Sequence, residues 1–370
     1  MQMTDDQKQE TLRLARADYA IYGYGKIGHE AIQLLKGVSL KYICDKEYIS
    51  DSQLDNKYIS PINLCSLTTI ERPIVLICAS EVNRMAIHRT LHIFGYRYGY
   101  DIFYYEEFML YWYPKILMEL EHQLYVPMVS FSVTDFCSLR CKKCSIKAPY
   151  QEHKQHRTLK SVMEDTKKIF SQIDYTREIS VVGGEPLLWP SLIPYLDFLA
   201  ENYSNHYMMA KIISNGSLPL SEELAICLKR NGIIYEETRY PETVSGKLYK
   251  RNIEFCKKMG ICYIEVYHPF WYDFGLRPDC ISQDALLTFL GCDSLCRGVY
   301  KNRLIYCFPG YLSGRNLRFS TEEEGLSLEN ITKEEVFCYY YGQDWKYLPK
   351  YCKYCNGFST APHIPVAEQL

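Results

Sequence analysis

Val133-Thr134-Asp135-Phe136-Cys137-Ser138-Leu139-Arg140-Cys141-Lys142-Lys143-Cys144 sets three cysteines in the spacing Cys-x3-Cys-x2-Cys. A loop this short suits a four-iron, four-sulfur (4Fe-4S) cube, whose preferred ligands are thiolates, and three ligands leave one iron without a protein partner. An open iron is a reaction site. About forty residues on, Ser180-Val181-Val182-Gly183-Gly184-Glu185-Pro186 is a β-rich run that ends in two glycines. Glycines there let a ligand reach the backbone with no Cβ in the way.

Zinc and disulfides are the competing readings of the cysteines. Structural zinc needs a fourth ligand nearby, and the histidines on offer, His153 and His156, lie nine and twelve residues past Cys144. The cysteines also do not fall in paired Cys-x2-Cys units, which counts against zinc. Met1 to Glu10 is polar and charged, with no apolar signal segment, so an oxidising destination is not expected and disulfides fare worse. The expected location is the cytoplasm.

Composition agrees with an intracellular enzyme. The 370 residues are 47% hydrophobic, which allows two or three domains with sizeable cores. A net charge of −2 without Lys/Arg blocks argues against a nucleic-acid partner, and no run of eighteen apolar residues suggests a membrane span. Sixteen cysteines are more than packing requires, although Cys44, Cys78, Cys227 and Cys256 sit in apolar patterns and read as core.

The chain reads as α/β throughout, in three parts. In residues 1–105, the strand Tyr19–Tyr22 runs into Gly23-Tyr24-Gly25-Lys26-Ile27-Gly28, a helix follows from Lys26 to Lys36, and a second strand, Val38 to Cys44, delivers Asp45. Gly-x-Gly-x-x-Gly at a strand-to-helix junction, with an acid after the next strand, is the Rossmann fingerprint for a dinucleotide. Its glycines, Gly23, Gly25 and Gly28, would bring a helix N-terminus against a pyrophosphate. NAD(P) or a nucleotide-sugar is the candidate ligand, and a scaffold domain that only keeps the turn is the alternative. Strands Ile74–Ala79 and Asp101–Tyr105, with a helix Glu81–Phe94, extend the pattern. A helical connector, 106–124, leads on.

In residues 125–281 strands and helices alternate: strands at Met128–Val133, Glu178–Val182, Tyr207–Ser214, Ile233–Glu237 and Cys262–Val266, helices at Leu159–Ile173, Ser191–Tyr203, Ser221–Asn231 and Val244–Met259. Alternation of this kind predicts a parallel sheet with right-handed crossovers. The cysteine loop, the Gly183-Gly184-Glu185 turn and Ser214-Asn215-Gly216 all fall at C-terminal strand ends, where such sheets collect their chemistry. Together these motifs resemble the radical S-adenosylmethionine (SAM) superfamily. The resemblance implies a partial (β/α)6 TIM-type barrel, a SAM-binding 4Fe-4S cluster on Cys137, Cys141 and Cys144, and SAM held at Gly183, Gly184 and Glu185 with Asn215 as a further contact. It also implies reductive cleavage of SAM to a 5′-deoxyadenosyl radical that abstracts hydrogen, with a flavodoxin or ferredoxin as electron donor. Family members often carry an aromatic residue before the third cysteine. Here that position is Lys143, so adenine packing must come from elsewhere.

Residues 282–370 carry a second thiol set. Cys296 and Cys307 flank a run that reads as a hairpin, and Cys352-Lys353-Tyr354-Cys355 closes the series. The arrangement resembles the shortened auxiliary-cluster (twitch or SPASM-like) domain that follows many radical SAM cores, which implies a second 4Fe-4S cluster. Zinc is the rival, because four thiolates are also a structural zinc set. Cys292 is an alternative to Cys296, and Cys338 a weaker one.

Between these parts, Tyr267-His268-Pro269-Phe270-Trp271-Tyr272-Asp273-Phe274-Gly275 offers rings and polar groups to a substrate or packs as a covering loop. Glu236, Glu237 and Arg239 are further candidates, with solvent-exposed charges as the plainer expectation. The first part resembles modules of surface-polysaccharide proteins, so the leading reading is hydrogen abstraction from a sugar or nucleotide-sugar, a small carbohydrate-type substrate. A peptide-modifying maturase and a non-catalytic iron–sulfur or nucleotide-binding module are the alternatives.

Overall fold

The computed structural model describes residues 5–47, 54–241, 244, 248–282, 284–292, 297–314, 317, 324–341 and 348–370. It divides into two units, Met1–Tyr125 and Val126–Leu370. The first contains α1 (Asp5–Ala15), β1 (Asp18–Tyr22), α2 (Lys26–Leu34), β2 (Ser39–Cys44), α3 (Pro61–Cys65), β3 (Ile74–Ile77), α4 (Glu81–Ile93), β4 (Ile102–Tyr104), α5 (Tyr105–Tyr111) and α6 (Tyr113–Glu121). Its strands form a parallel sheet in the order β2-β1-β3-β4. The inner strand β3 is apolar at every position and buried along its whole length, as a strand covered on both faces must be.

Two differences from the expected helices have identifiable causes. Helix α2 stops at Leu34 rather than Lys36 because the Tyr113 hydroxyl donates to the Leu34 carbonyl (2.5 Å) and accepts the Lys36 amide (2.8 Å), closing the helix end. The connector read as one helix is two, α5 and α6, parted at Trp112 just before Pro114, which fits only in a first helical turn. Helix α1 escapes the sequence reading altogether, since only Thr11 and Leu14 of its residues are buried.

The second unit contains β5 (Tyr125–Ser132), α7 (Leu159–Phe170), β6 (Tyr175–Val182), α8 (Leu192–Tyr203), β7 (Tyr207–Ser214), α9 (Glu222–Asn231), β8 (Ile234–Arg239), α10 (Leu248–Met259), β9 (Tyr263–Tyr267) and β10 (Trp271–Tyr272). It continues with α11 (Ala285–Leu290), β11 (Gly298–Tyr300), β12 (Arg303–Ile305), α12 (Phe308–Leu312), β13 (Leu326–Ser327), α13 (Lys333–Tyr341) and β14 (His363–Ile364). Capping sets the helices. In α9, Ser221 Oγ accepts the Leu224 amide, acidic residues open the first turn, basic ones close the last, and Gly232 ends it in the left-handed conformation.

One eight-stranded sheet runs β13-β12-β11-β5-β6-β7-β8-β9. Strands β6 to β9 pair in parallel. The sequence shows five of the eight strands in its alternating pattern and two more as the hairpin between Cys296 and Cys307. The three outside the alternation come from beyond residue 297: β11 pairs in parallel with β5, and β12 and β13 add antiparallel. β11 and β12 form the expected hairpin, with Lys301 and Asn302 both at positive φ (48° and 62°), the two-residue turn whose twist matches its strands. Separately, β10 pairs antiparallel with β14.

The buried Asp165 on α7 ties this hairpin to the rest. Its Oδ2 accepts from Arg157 Nη2 (2.7 Å) and from the Asn302 amide (3.0 Å), and both charged side chains are about 95% buried. Asp165→Ala would leave the Arg157 guanidinium buried without its counter-charge. The expected loss is ~3–5 kcal/mol of unfolding free energy, measured by urea denaturation of the apoprotein; a change within ~0.5 kcal/mol would contradict the assignment.

Candidate functional site

The loops after β5, β6 and β7, together with β8 residues and Trp271 of β10, surround one cavity of about 220 Å³. Cys137, Cys141 and Cys144 line it, and so do Gly183, Gly184 and Asn215. Six residues expected to act together therefore face one space.

The two glycines serve a closer neighbour than a ligand. A Cβ on Gly184 would stand 2.0 Å from the Phe136 carbonyl oxygen, and one on Gly183 would stand 2.7 Å from that of Thr134. Across this contact the Gly184 amide donates to Thr134 O (2.7 Å) and the Glu185 amide to Phe136 O (2.8 Å). The missing side chains admit the cysteine loop itself, so two of the amides in the turn are already engaged.

Glu185 does not line the cavity. It is fully buried, and its carboxylate accepts the Leu187 amide (3.1 Å) and the Asn215 amide (2.8 Å). Burial pushes its pKa up to about 7 despite these donors. Its side chain joins the glycine turn to the Ser214-Asn215-Gly216 turn. Asn215 then points its side-chain amide at the cysteine loop, with Nδ2 3.4 Å from Cys137 Sγ and 3.2 Å from Ser138 Oγ, while Oδ1 accepts the Ser217 amide (2.9 Å).

The three thiols fit a metal cluster as ligands. Burial pushes Cys137 up to about 11 and raises Cys141 and Cys144, so the free groups are protonated thiols that metal coordination would deprotonate. N–H donors already face all three sulfurs: Leu139 N at 3.4 Å from Cys137 Sγ, Gln369 Nε2 at 3.2 Å from Cys141 Sγ, and the backbone amides of Ile146, Lys147 and Ala148 toward Cys144. Among the described residues, no three His, Cys, Asp or Glu side chains converge on a single-ion site.

Lys143 turns from the cavity to pair with Asp273 (2.9 Å), which also pairs with Arg277. The rings on the cavity wall are Tyr240 and Trp271, 5.8 Å apart and nearly perpendicular. Trp271 belongs to the aromatic run of the sequence, whereas Thr238 and Tyr240 carry no motif of their own. The period of two along β8 from Glu236 was the available signal. Glu236 and Glu237 are not the exposed charges expected: Glu236 sits 2.6 Å from Lys211 Nζ, and Glu237 accepts from Tyr235 and from Asn252 (2.9 Å). A strand alternates between two faces, and here both are covered.

In the third part, burial pushes the Cys352 thiol well up, with the thiols of Cys307, Cys355 and Cys292 adding to the effect. Cys292 thus joins three of the expected ligands in one neighbourhood. Cys296 lies outside the described residues. In the first unit, the strand order reverses between β1 and β3, the position where open parallel sheets bind ligands. Gly23 holds a φ of +110° there, a Cβ on Gly28 would meet Gly23 O at 2.0 Å, and the space beside Gly25 is open. The Asp45 carboxylate accepts the amides of Tyr24 (2.5 Å) and Glu47 (2.9 Å), bracing the glycine turn. Two oxygens with one donor each keep further acceptor capacity.

Residues 131–237 match the Radical SAM superfamily, and the matched span holds the three cysteines, the glycine turn and Asn215. No curated protein matches the chain. Solved structures resemble it at low identity. The complex of BtrN with AdoMet and 2-DOIA is 16% identical with a TM-score of 0.44, over 67% of this chain and 98% of that one. Streptococcus suis SuiB bound to S-adenosylmethionine is 12% identical at 0.34, over 51% and 40%. Native anSMEcpe with bound AdoMet and Cp18Cys peptide is 16% identical at 0.32, over 38% and 42%. The chain spans less than half the length of the last two.

Glu185 makes stability depend on pH. Its carboxyl titrates near 4.5 when unfolded and near 7 when folded, so the unfolded chain gives up this proton first. Its contribution therefore falls as pH rises from about 4.5 to about 7 and then levels, a loss of about 3 kcal/mol. Denaturation of the apoprotein across this range should show a decline that Glu185→Gln flattens; an equal slope in the variant would remove Glu185 as its source.

Proposed function

We propose that the chain is a radical SAM enzyme that abstracts hydrogen from a sugar or nucleotide-linked sugar, in an epimerisation, dehydrogenation or related C–H transformation. The observation that carries this reading is the convergence of Cys137, Cys141, Cys144, Gly183, Gly184 and Asn215 on one cavity within the matched span. Cys137, Cys141 and Cys144 would hold three irons of a 4Fe-4S cluster, with the fourth open to the amino and carboxylate groups of SAM. When bound and reduced, this cofactor supplies the electron that splits SAM into methionine and a 5′-deoxyadenosyl radical, which takes a hydrogen atom from a C–H bond.

The chain's own residues position and exclude. The Gly184 and Glu185 amides are engaged with the cysteine loop, so the turn offers carbonyls to an ammonium group rather than donors to an anion. Tyr240 and Trp271 give adenine or a sugar ring flat apolar surfaces, which supports packing in place of the missing aromatic at Lys143. The arrangement reads as a partial (β/α)6 barrel over about 125–281, after a Rossmann-like module (1–105) and a connector (106–124). An auxiliary cluster domain (282–370) follows, where Cys296, Cys307, Cys352 and Cys355 would hold a second 4Fe-4S cluster, with Cys292 as the alternative to Cys296, which its nearness to Cys352 supports. NAD(P) or a nucleotide-sugar would lie on Gly23, Gly25, Gly28 and Asp45. The enzyme would work in the cytoplasm with a flavodoxin or ferredoxin as reductant. Among the described residues no helix is long and apolar enough to cross a membrane.

The deciding experiment incubates the reduced protein with SAM and a panel of deuterated sugars, nucleotide-sugars and peptides. Deuterium should pass from a sugar into 5′-deoxyadenosine; transfer from peptides alone would favour a maturase, and no cleavage of SAM would end the enzyme reading. Cys141→Ala should abolish 5′-deoxyadenosine formation, and survival of that activity would remove Cys141 from the cluster. Anaerobic reconstitution should load about eight irons, whereas about four irons with one zinc would reassign the C-terminal thiols.

A further inference from the structure

Residues 368–370 run beside the cysteine loop and join it through one isolated bridge. Cys141 and Gln369 form an antiparallel bridge, the Lys142 amide donates to Glu368 O (2.7 Å), and the Leu370 amide donates to Arg140 O (2.9 Å). These bonds join backbone to backbone and do not depend on which side chains stand at 368 and 369. Lys142 and Glu368 add an exposed ion pair.

The side chain of Gln369 does something further. Its Oε1 accepts the Arg140 amide (2.8 Å), and its Nε2 donates to the carbonyl of Ala367 (2.7 Å) and to Cys141 Sγ (3.2 Å). A primary amide has two N–H donors and one carbonyl. The Arg140 N–H can only meet the oxygen and the Ala367 carbonyl can only meet the nitrogen, so the amide has one orientation. The remaining N–H is therefore aimed at the sulfur of Cys141, a residue that is 6% exposed.

We propose that Gln369 is a positioning residue for the cluster expected on Cys137, Cys141 and Cys144: its amide sets the electron density on the Cys141 sulfur and thereby the reduction potential of the cluster. The inference rests on the cluster reading of the cavity. A hydrogen bond donated to a ligating thiolate withdraws charge from it, which favours the reduced cluster and raises the potential. The reducing electron is what the proposed chemistry must obtain, so this bond eases its delivery.

The test compares wild type, Gln369→Met, Gln369→Leu and Glu368→Gln after anaerobic reconstitution. Iron content and circular dichroism are measured first. Redox titration then follows the electron paramagnetic resonance signal that changes when SAM is added, which singles out the cluster with the open iron. Gln369→Met and Gln369→Leu should keep wild-type iron content and shift the potential to more negative values. Glu368→Gln, which loses only the surface ion pair, should stay at the wild-type potential. An unchanged potential in both Gln369 variants overturns the inference and leaves the proposed function standing. Equal shifts in Glu368→Gln, or folded Gln369 variants that cannot retain the iron, also overturn it, because Gln369 would then act only by holding the loop. Absence of a SAM-sensitive cluster from wild type would end the proposed function and this inference with it.

Discussion

The second unit depends on a contact between two stretches of backbone. Thr134 to Phe136 and Gly183 to Glu185 approach so closely that one methyl group on Gly184 would overlap a carbonyl oxygen. Two amide-to-carbonyl bonds hold the approach, and a buried carboxylate, Glu185, passes the constraint on to the Asn215 turn. Backbone atoms have far less freedom than long side chains. Ligands mounted on such a frame keep their places before any cofactor arrives, which lowers the ordering cost of binding one.

Beneath the cavity the sheet is unusually polar for an interior. Lys211 on β7 lies between Glu178 on β6 (2.9 Å) and Glu236 on β8 (2.6 Å), and all three side chains are nearly buried. A buried charge is tolerable only when paired and hydrogen-bonded, and such groups add specificity more reliably than stability. A one-residue slip of β7 against either neighbour would carry Lys211 to the opposite face and strand both carboxylates. The three charges thus fix the register that, carried past the strand ends, brings Gly184, Asn215 and Thr238 level with one another.

Local features were legible in the sequence because their causes are local. The Cys-x3-Cys-x2-Cys spacing, the glycine turns, and the long strands and helices from Leu159 to Tyr267 state their pattern within a dozen residues. Capping by Ser221 and Gly232 made the ends of α9 readable to within a residue. What escaped was set by distant partners. Helix α2 ends where a tyrosine from 77 residues away meets it, and Gln369 reaches a sulfur 228 positions earlier. A strand of two residues, such as β13, is too short to show a period. Glu236 and Glu237 looked like solvent-facing charges because nothing nearby in sequence announces Lys211 or Asn252.

The placement of β11 bears on how the molecule can be dissected. Gly298 and Val299 pair with Ser130 and Phe131, so one border of the central sheet is finished by chain that arrives some 170 residues later. A fragment cut near residue 281 to isolate the alternating strands and helices would bare the hydrogen-bonding edge of β5, a template for aggregation. The same wide separation loads the folding route with non-local closure, which slows assembly and leaves that border open during synthesis. Expression of shortened forms should therefore be judged by solubility before any loss of chemistry is blamed on missing ligands.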